Sequence, residues 1–269
     1  MKKIQNYING KFQPPVTGRT LDDINPATGE IIGTVPASTS DDVQQAVDAA
    51  NNARTAWASL NINERVRWLD KIANSLESQS EKIASLESLD TGKPISLARA
   101  VDAVRSVTNF RFFAKFAKDY TDEKFEMEDA VNHVILKPVG IAGLITPWNL
   151  PLYLLSWKIA PAIVMGNTVV AKPSELTPLT ANLLAEVIDE VGLPAGVVNI
   201  VHGSGPEAGQ AIVEHPEISL ISFTGGTATG RKVASTAAPM FKKLSLELGG
   251  KNASIVLDDA NLETTIPGV

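Results

Sequence analysis

The amino-acid sequence predicts an α/β protein built around a doubly wound, mostly parallel β-sheet. Two observations support this prediction. From Gly140 onward, short apolar segments of strand length alternate with longer segments of helical periodicity, which is the pattern of parallel βαβ units. In addition, polar or glycine residues follow each predicted strand, at the edge of the sheet where ligands bind in open parallel folds.

The composition excludes several classes of protein. The 269 residues are 44% hydrophobic and 20% charged with a formal net charge of −6, so neither nucleic acid nor a membrane is an expected partner. The chain has no cysteine, which excludes disulfides and a cysteine nucleophile within these residues. Its three histidines are scattered, so no metal site is expected. No apolar run follows the two lysines at the start, so no signal peptide is indicated and a cytoplasmic location is expected.

The first 119 residues predict short strands followed by four helices. The pairs Asn9-Gly10 and Thr28-Gly29 are turn signals, and residues 30–35 form a predicted strand after the second pair. Ser40, which is followed by two aspartates, is predicted to cap the first helix. Apolar residues at helical spacing predict three further helices: from about residue 63, over residues 80–91 and over residues 95–117.

Residues 120–139 interrupt this pattern. Their first part is acidic and weakly patterned, and residues 132–139 alternate as a strand does, so a plain surface hairpin or linker is as good an interpretation of the pattern as a segment with a function. Beyond them, helices are predicted over residues 152–165, 178–191, 206–213 and 227–238. The predicted strands that alternate with these helices cover residues 140–145, 168–172, 197–201, 219–223 and 243–246.

The residues at the ends of these strands are the candidate ligand-binding residues. They are Thr146-Pro147-Trp148-Asn149, Lys172-Pro173-Ser174-Glu175, Gly203-Ser204-Gly205, Thr224-Gly225-Gly226-Thr227 and Glu247-Leu248-Gly249-Gly250. Because the carboxyl ends of parallel strands meet at one edge of a sheet, we expect these segments to converge.

Two of these segments suit a nucleotide. Gly225-Gly226 opens a helix whose free N–H groups and dipole favour a phosphate, although an ordinary tight turn has the same sequence. Lys172 and Glu175 could bind the two hydroxyls of a ribose, although a solvated lysine and a helix-terminal acid are alternatives. The glycines from residue 203 to 209 do not have the Gly-x-Gly-x-x-Gly spacing.

Two further residues suit catalysis. Glu247 lies between two leucines and before two glycines, so we expect a carboxylate of raised pKa that can act as a general base. The amide of Asn149 could donate to a developing oxyanion, or it could cap the following helix.

At these residues the sequence resembles the aldehyde dehydrogenase family, in the same order and over essentially the whole chain. Thr146-Pro147-Trp148-Asn149 resembles the loop that carries the oxyanion asparagine, and Lys172-Pro173-Ser174-Glu175 resembles the adenosine-ribose site. Residues 223–230 resemble the phosphate turn, with glycine at position 226 where serine is more usual. Residues 246–253, which read Leu-Glu-Leu-Gly-Gly-Lys-Asn-Ala, resemble the segment around the general base.

The resemblance implies a Rossmann-like NAD-binding domain from residues 1–119 and 140–248, and an oligomerisation hairpin that begins in residues 120–139. Residues 249–269 would begin a catalytic domain whose remainder is absent, so the fold would be truncated. Glu247 and Asn149 would be catalytic. The residues that would bind NAD are Ile145, Thr146, Pro147, Trp148, Lys172, Ser174, Glu175, Gly205, Gly209, Phe223, Thr224, Gly225, Gly226, Leu248 and Gly249.

In the family, a cysteine thiolate attacks the aldehyde, hydride passes to nicotinamide, and a water activated by the glutamate releases the acid. That cysteine lies beyond the equivalent of Val269, so we expect this chain to be inactive alone, and a full-length form to be a homodimer or homotetramer. Glu175 favours NAD over NADP, because a 2′-phosphate would meet like charge. Apolar surface left uncovered at Val269 would make the isolated chain aggregate or bind NAD weakly.

The segments 109–114 and 148–155 look most like 2-aminomuconate and 2-hydroxymuconate semialdehyde dehydrogenases. Their substrates carry a carboxylate, and Arg105 is the candidate to bind it, although a solvated arginine is an equal alternative. Betaine-aldehyde oxidation is the rival activity within the family. Outside this class, the alternative is a non-catalytic nucleotide-binding or assembly module. Esterase activity is disfavoured by the lack of a Gly-x-Ser-x-Gly motif.

Overall fold

The computed structural model describes residues 2–250 and 253–268, so Lys251, Asn252 and Val269 lie outside the described residues. Five short strands come first: β1 (Lys2–Lys3), β2 (Asn6–Ile8), β3 (Lys11–Gln13), β4 (Thr20–Ile24) and β5 (Ile31–Pro36). The turn predicted at Asn9-Gly10 joins β2 to β3, and both residues have positive φ, 52° and 71°. This is the backbone that a two-residue hairpin requires.

The N-terminal helices agree with the sequence pattern except at their ends. They are α1 (Ser40–Ser59), α2 (Ile62–Ser78), α3 (Ser80–Thr91), α4 (Ile95–Leu97) and α5 (Val104–Asp119), with a π-helical stretch at Ala98–Ala103 that makes the last two continuous. The prediction that Ser40 caps α1 is wrong. Thr39 is the extended N-cap, and its N–H donates to the carboxylate of Asp42 at 3.0 Å.

Beyond the hairpin β6 (Glu123–Glu126) and β7 (Val131–Val134), strands and helices alternate as predicted. The strands are β8 (Ile141–Ile145), β9 (Thr168–Lys172), β10 (Val198–Ile200), β11 (Ile218–Gly225) and β12 (Lys243–Leu248). The helices are α6 (Pro151–Val164), α7 (Leu179–Glu190), α8 (Gln210–Glu214), α9 (Thr227–Ala237) and α10 (Leu262–Thr265), with a π-helical turn at Gly205–Gly209 before α8.

The main sheet has seven strands in the order β12-β11-β8-β9-β10-β2-β3. The first five are parallel, and β2 and β3 extend the sheet antiparallel. From β8 the chain proceeds outward to β9 and β10, then returns to β11 on the other side of β8. The predicted doubly wound α/β fold is therefore confirmed, and its switch point lies between β8 and β11, where ligands bind in such sheets.

Apolar residues on the two faces of the sheet enter two separate cores. Ala142 and Leu144 of β8 pack with residues of α2, α3, α5, α6 and α7, whereas Ile141 and Ile145 pack with residues of α1, α8 and α9. This alternation explains why the central strands read as continuous apolar runs. All five residues of β8 and of β9 are buried.

Arg65 of α2 joins two helix ends beneath the sheet. Its Nε donates to the carbonyl of Val164 at 2.7 Å, and its Nη1 donates to the carbonyls of Ala58 and Leu60. The side chain is buried, and this burial lowers the pKa of the guanidinium. The last carbonyls of a helix have no hydrogen-bond partner within that helix. The Arg65 side chain provides partners for such carbonyls at the carboxyl ends of α1 and α6.

Candidate functional site

Residues distant in sequence form one row at the carboxyl edge of the sheet. Phe223 of β11 pairs with Ile145 of β8, and Ile145 pairs with Lys172 of β9. Thr146, next along the chain, donates its backbone N–H to the carbonyl of Lys172 at 3.2 Å. Three of the predicted nucleotide-binding segments therefore meet where the strand order reverses.

Two segments were predicted to follow strands, but the first two residues of each segment belong to the strand itself. Thr224 pairs with Glu247, and Gly225 pairs with Leu248, so β11 and β12 each extend two residues beyond the predicted end. The pairing continues because Gly225 lets the strand pass the ring of Phe223. A Cβ at residue 225 would lie 2.5 Å from Cζ of that ring. The glycine is thus required for close packing at this edge.

A cavity opens beside this row, between the turn before α8 and helix α9. We call it the cofactor cavity, and four of its lining residues were predicted to bind the cofactor: Ile145, Gly205, Gly209 and Phe223. The sequence reasoning missed the other six, which are Pro206, Gln210, Val213, Thr229, Lys232 and Val233. The helical spacing of Thr229 and Val233 was the available signal, since residues four apart share a face.

Lys172 lies at the inner wall of this region and is buried. Its ammonium donates three hydrogen bonds: to Oε2 of Glu175 at 3.0 Å, to the carbonyl of Pro173 at 2.9 Å and to the carbonyl of Gly203 at 2.7 Å. Burial lowers the pKa of Lys172, and the charge of Glu175 opposes that effect. A Cβ built on Gly209 would lie 3.6 Å from Cδ of Lys172, so the lysine stem adjoins the wall of the cofactor cavity.

The turn that receives Lys172 is held by the N-terminal strand. Gly203 has a φ of +152°, and a Cβ there would lie 2.9 Å from Cβ of Ala208 and 3.1 Å from the backbone of Ser38. Asn6 of β2 accepts from the N–H of His202 at 2.8 Å and donates to the hydroxyl of Ser38 at 2.8 Å. The carbonyl that positions Lys172 thus depends on this tightly packed turn.

The predicted nucleotide-binding residues differ in their burial and in their hydrogen bonds. Gly226 is the N-cap of α9, with φ −69° and ψ 146°, and no side chain caps this helix. Thr146 is buried, and its hydroxyl has no hydrogen-bond partner in the described part of the chain. Ser174 is buried and accepts from the N–H of Leu176 at 3.2 Å, while Trp148 is exposed. Free N–H groups of α9 and an unpartnered hydroxyl fit a polar, anionic ligand.

Asn149 is exposed and precedes α6 without capping it. Leu150 is the N-cap residue of α6 and provides no side-chain hydrogen bond, so the helix-capping alternative for Asn149 is wrong. The carbonyl of Asn149 accepts from Nζ of Lys93 at 3.2 Å. Its amide makes no hydrogen bond with residues 2–250 or 253–268, which leaves it available to a ligand.

Glu247 is exposed on β12 and lines a second cavity, on the α6 side of the sheet, with Ser222, Ser245 and Lys158. Lys158 is buried, and its Nζ donates to the hydroxyl of Ser222 at 2.7 Å. Burial lowers the pKa of Lys158 to about 8, against the opposing charge of Glu247. Sequence analysis missed Lys158, although a lysine within an apolar helix was the available signal.

Arg105 is exposed on α5 and has no hydrogen bond or ion pair to another described residue. Asp102, three residues earlier, is tied through a lysine to the carbonyl of Asn149. Asn109, four residues later, donates to the carbonyl of Tyr153 at 3.0 Å. Arg105 therefore lies on the part of α5 that is next to the Asn149 loop, which comprises residues 146–150 between β8 and α6. Its guanidinium has no partner among the described residues and is available to an anion there.

No group of three or more metal-binding side chains occurs among residues 2–250 and 253–268. In the same ranges, no helix is both long and apolar enough to cross a membrane.

The chain is similar to proteins of known activity. A sequence profile of the aldehyde dehydrogenase family matches residues 12–269. The 2-aminomuconic semialdehyde dehydrogenase of Homo sapiens is 50% identical over 266 residues, which are 98% of this chain and 54% of that protein. The 2-hydroxymuconic semialdehyde dehydrogenase of Pseudomonas sp. (strain CF600) is 44% identical over 275 residues, covering 100% of this chain and 57% of its own length.

A solved NAD+ complex of an aldehyde dehydrogenase from Bacillus cereus superposes with a TM-score of 0.95 at 40% identity. It covers 99% of this chain and 55% of its own chain. The chain therefore spans about half the length of the relatives that it matches.

Proposed function

This chain belongs to the aldehyde dehydrogenase family, and we propose that it is the NAD-binding part of an enzyme that oxidises a carboxylate-bearing semialdehyde to the acid. The observation that carries the proposal is the row Phe223–Ile145–Lys172 beside the cofactor cavity at the switch point of the sheet. Parallel α/β sheets bind nucleotides at this position.

The residues at this edge fit the parts of NAD. The cofactor cavity would take the adenine, and the hydroxyls of its ribose would bind Glu175 and Lys172, with the lysine exchanging one of its three hydrogen bonds within the chain for the ribose. The N-terminus of α9, at Gly226, would face the phosphates. The remaining proposed NAD-binding residues, Thr146, Pro147, Trp148, Ser174, Thr224, Leu248 and Gly249, lie in the same strand-end segments. The 2′-phosphate of NADP would meet the negative charge of Glu175, so NAD is the proposed cofactor.

The chemistry proposed for the whole enzyme uses two residues of this chain. When bound, NAD supplies the hydride acceptor. The Asn149 amide would donate to the oxyanion that forms on the aldehyde oxygen, and Glu247 would take a proton from the water that hydrolyses the acyl intermediate. The thiolate that forms this intermediate would have to come from outside these 269 residues, which contain no cysteine.

The carboxylate specificity is proposed to reside in Arg105. A guanidinium that has no partner in the described chain, beside the Asn149 loop, would attract an anionic substrate and repel the quaternary ammonium of a betaine aldehyde. The relatives named for muconic semialdehydes support this substrate class.

Residues 120–139 are proposed to contribute to subunit assembly. Every residue of β6 and β7 is exposed, and the hairpin presents Phe125 and Val131 to solvent at 54% and 49% exposure. Isolated two-stranded hairpins are marginally stable, so pairing with a further strand would stabilise this one. A homodimer or homotetramer of the whole enzyme is therefore proposed.

Calorimetric titration of the chain with NAD and NADP tests the cofactor assignment. We expect NAD to bind, NADP to bind more weakly, and Lys172→Met to weaken NAD binding about tenfold, since hydrogen bonds from a charged group are lost. Lys118→Met, at an exposed position on α5, is the matched control. Equal affinity for NAD and NADP, or unchanged NAD binding in Lys172→Met, would contradict the assignment.

Turnover tests the substrate class in a gene product that also contains the thiol-bearing part of the relatives. Arg105→Met is expected to raise KM for a semialdehyde with a carboxylate while leaving KM for a neutral aldehyde of equal length unchanged. Arg111→Met on the same helix is the control, because Arg111 is already paired with Glu77. An equal change for both aldehydes would remove Arg105 from the substrate site.

A further inference from the structure

A buried cluster of charges lies directly beneath the Asn149 loop. Glu87 of α3 and Asp102 of the π-helical stretch are both fully buried. The ammonium of Lys93 lies between them, 2.8 Å from Oδ1 of Asp102 and 3.6 Å from Oε2 of Glu87. One cation thus serves two carboxylates, and burial raises the pKa of Glu87. Such a cluster costs free energy to bury.

The cluster holds the backbone of the Asn149 loop at two points. Lys93 donates to the carbonyl of Asn149 at 3.2 Å. Oε1 of Glu87 accepts from the N–H of Leu152 at 3.0 Å, and also from the hydroxyl of Thr180 at 2.8 Å. Helix α6 has no side-chain cap from its own N-cap residue, so a carboxylate 65 residues away in sequence performs that role.

The direction of the Asn149 amide depends on this backbone. No described residue bonds to the amide itself, so its orientation follows from the position of its own main chain. That main chain lies between two prolines, Pro147 and Pro151, which supply no N–H to anchor it. Three contacts from outside hold the loop: Lys93 on the carbonyl of Asn149, Glu87 on the N–H of Leu152, and the hydroxyl of Thr177 on the carbonyl of Trp148 at 3.4 Å.

We propose that Lys93 is a positioning residue for Asn149: its ammonium, shared by Glu87 and Asp102, fixes the carbonyl of Asn149 and thereby aims the amide at the substrate oxygen. The inference rests on the proposed function for what the amide does. The positioning itself is a property of the loop and can be measured without cofactor, substrate or thiol.

The test is hydrogen–deuterium exchange of the Leu152 amide, the N–H of this segment that bonds to Glu87, in variants that separate charge balance from positioning. Lys93→Met alone would leave two buried carboxylates without a cation, and could fail to fold for that reason. The informative variant is Lys93→Met combined with Asp102→Asn, which removes one charge of each sign. Asp102→Asn alone is its control, because Lys93 then still reaches Asn149 and Glu87.

We expect the double variant to exchange the Leu152 amide about tenfold faster than wild type, which is the effect of losing one charged hydrogen bond that holds the segment. Asp102→Asn and Lys93→Arg should exchange this loop at the wild-type rate, and amides of α7 should be unchanged throughout. Equal loop exchange in the double variant and in Asp102→Asn would overturn the proposal, and so would acceleration in Lys93→Arg as large as in the double variant.

A second readout separates this inference from the proposed function. In a gene product that contains the thiol, Lys93→Met/Asp102→Asn should lower kcat about tenfold and leave KM for NAD unchanged, and Lys93→Arg/Asp102→Asn should restore kcat. Faster loop exchange with an unchanged kcat would keep the positioning and refute the role of Asn149. An unchanged loop with a lower kcat would refute the positioning.

Discussion

Replacing Lys158 by methionine is expected to stabilise the chain at neutral pH. Lys158 is buried beside Ser222, and burial lowers the pKa of its ammonium from 10.5 to about 8. In the unfolded chain the same ammonium is solvated and keeps its ordinary pKa. Below pH 8 the folded chain therefore carries the free-energy cost of a protonated amine in a poorly solvated site. Methionine has a similar length and no charge, so it removes that cost.

The magnitude follows from the pKa. A lowering from 10.5 to about 8 corresponds to about 3 kcal/mol of unfolding free energy, at about 1.4 kcal/mol per pH unit. Loss of the hydrogen bond to Ser222 offsets about 1 kcal/mol, so the net gain is about 2 kcal/mol. Because the folded-state pKa is the lower one, the cost is absent above pH 10.5, grows as the pH falls from 10.5 to 8, and is complete below 8.

Urea unfolding measures this effect at pH 7 and at pH 10. The difference between Lys158→Met and wild type should be about 2 kcal/mol at pH 7 and should shrink or reverse at pH 10, because wild-type Lys158 is then neutral in the folded chain and has begun to lose its proton in the unfolded chain. Lys118→Met, at an exposed site, should show no such dependence. A variant that is less stable than wild type at pH 7, or a difference that does not change with pH, would refute the reasoning.

Three further predictions concern single residues. Gly203→Ala should lower the unfolding free energy by about 3 kcal/mol in urea titration, because the added Cβ collides with backbone at a positive φ, whereas Gly205→Ala, in open space, should be nearly neutral. Gly226→Ser should stabilise the chain by a few tenths of a kcal/mol, because serine is a slightly better helix N-cap than glycine. The melting temperature should therefore rise slightly, and calorimetry should still detect NAD binding. Loss of binding would show that the turn needs bare backbone. Arg65→Met should cost about 3 kcal/mol, since buried carbonyls lose a charged donor, whereas the exposed Arg67→Met should cost almost nothing in the same assay.

Local patterns predicted the central strands β8 and β9 well because every residue of both strands is buried. The run 168–172 is apolar until its terminal lysine, and the structure places β9 at the same residues. The ends of β11 and β12 were predicted two residues short, because a pair of glycines follows each of them, at residues 225–226 and 249–250. Their strand conformation comes from pairing with the neighbouring strand, and no local pattern encodes that pairing.

The candidate site was predictable only where it follows a strand. Lys172 was predicted because strand ends converge at one edge of a parallel sheet, whereas Ile145 and Phe223 were predicted only from the resemblance to the family. Lys158 and the α9 wall of the cofactor cavity were missed, since their roles depend on which face of a helix turns toward the sheet. The contact of Glu87 with Leu152 joins residues 65 positions apart. Such contacts follow from helix packing, which sequence periodicity alone does not specify.

The crystal structure of the chain grown with saturating NAD is the most direct test of the central claim, that the carboxyl edge between β8 and β11 is the cofactor site. We predict density for the adenine in the cofactor cavity and for its ribose within hydrogen-bond distance of Lys172 and Glu175. Density for NAD at another surface, or an empty cavity in crystals whose solution shows NAD binding by calorimetry, would contradict it.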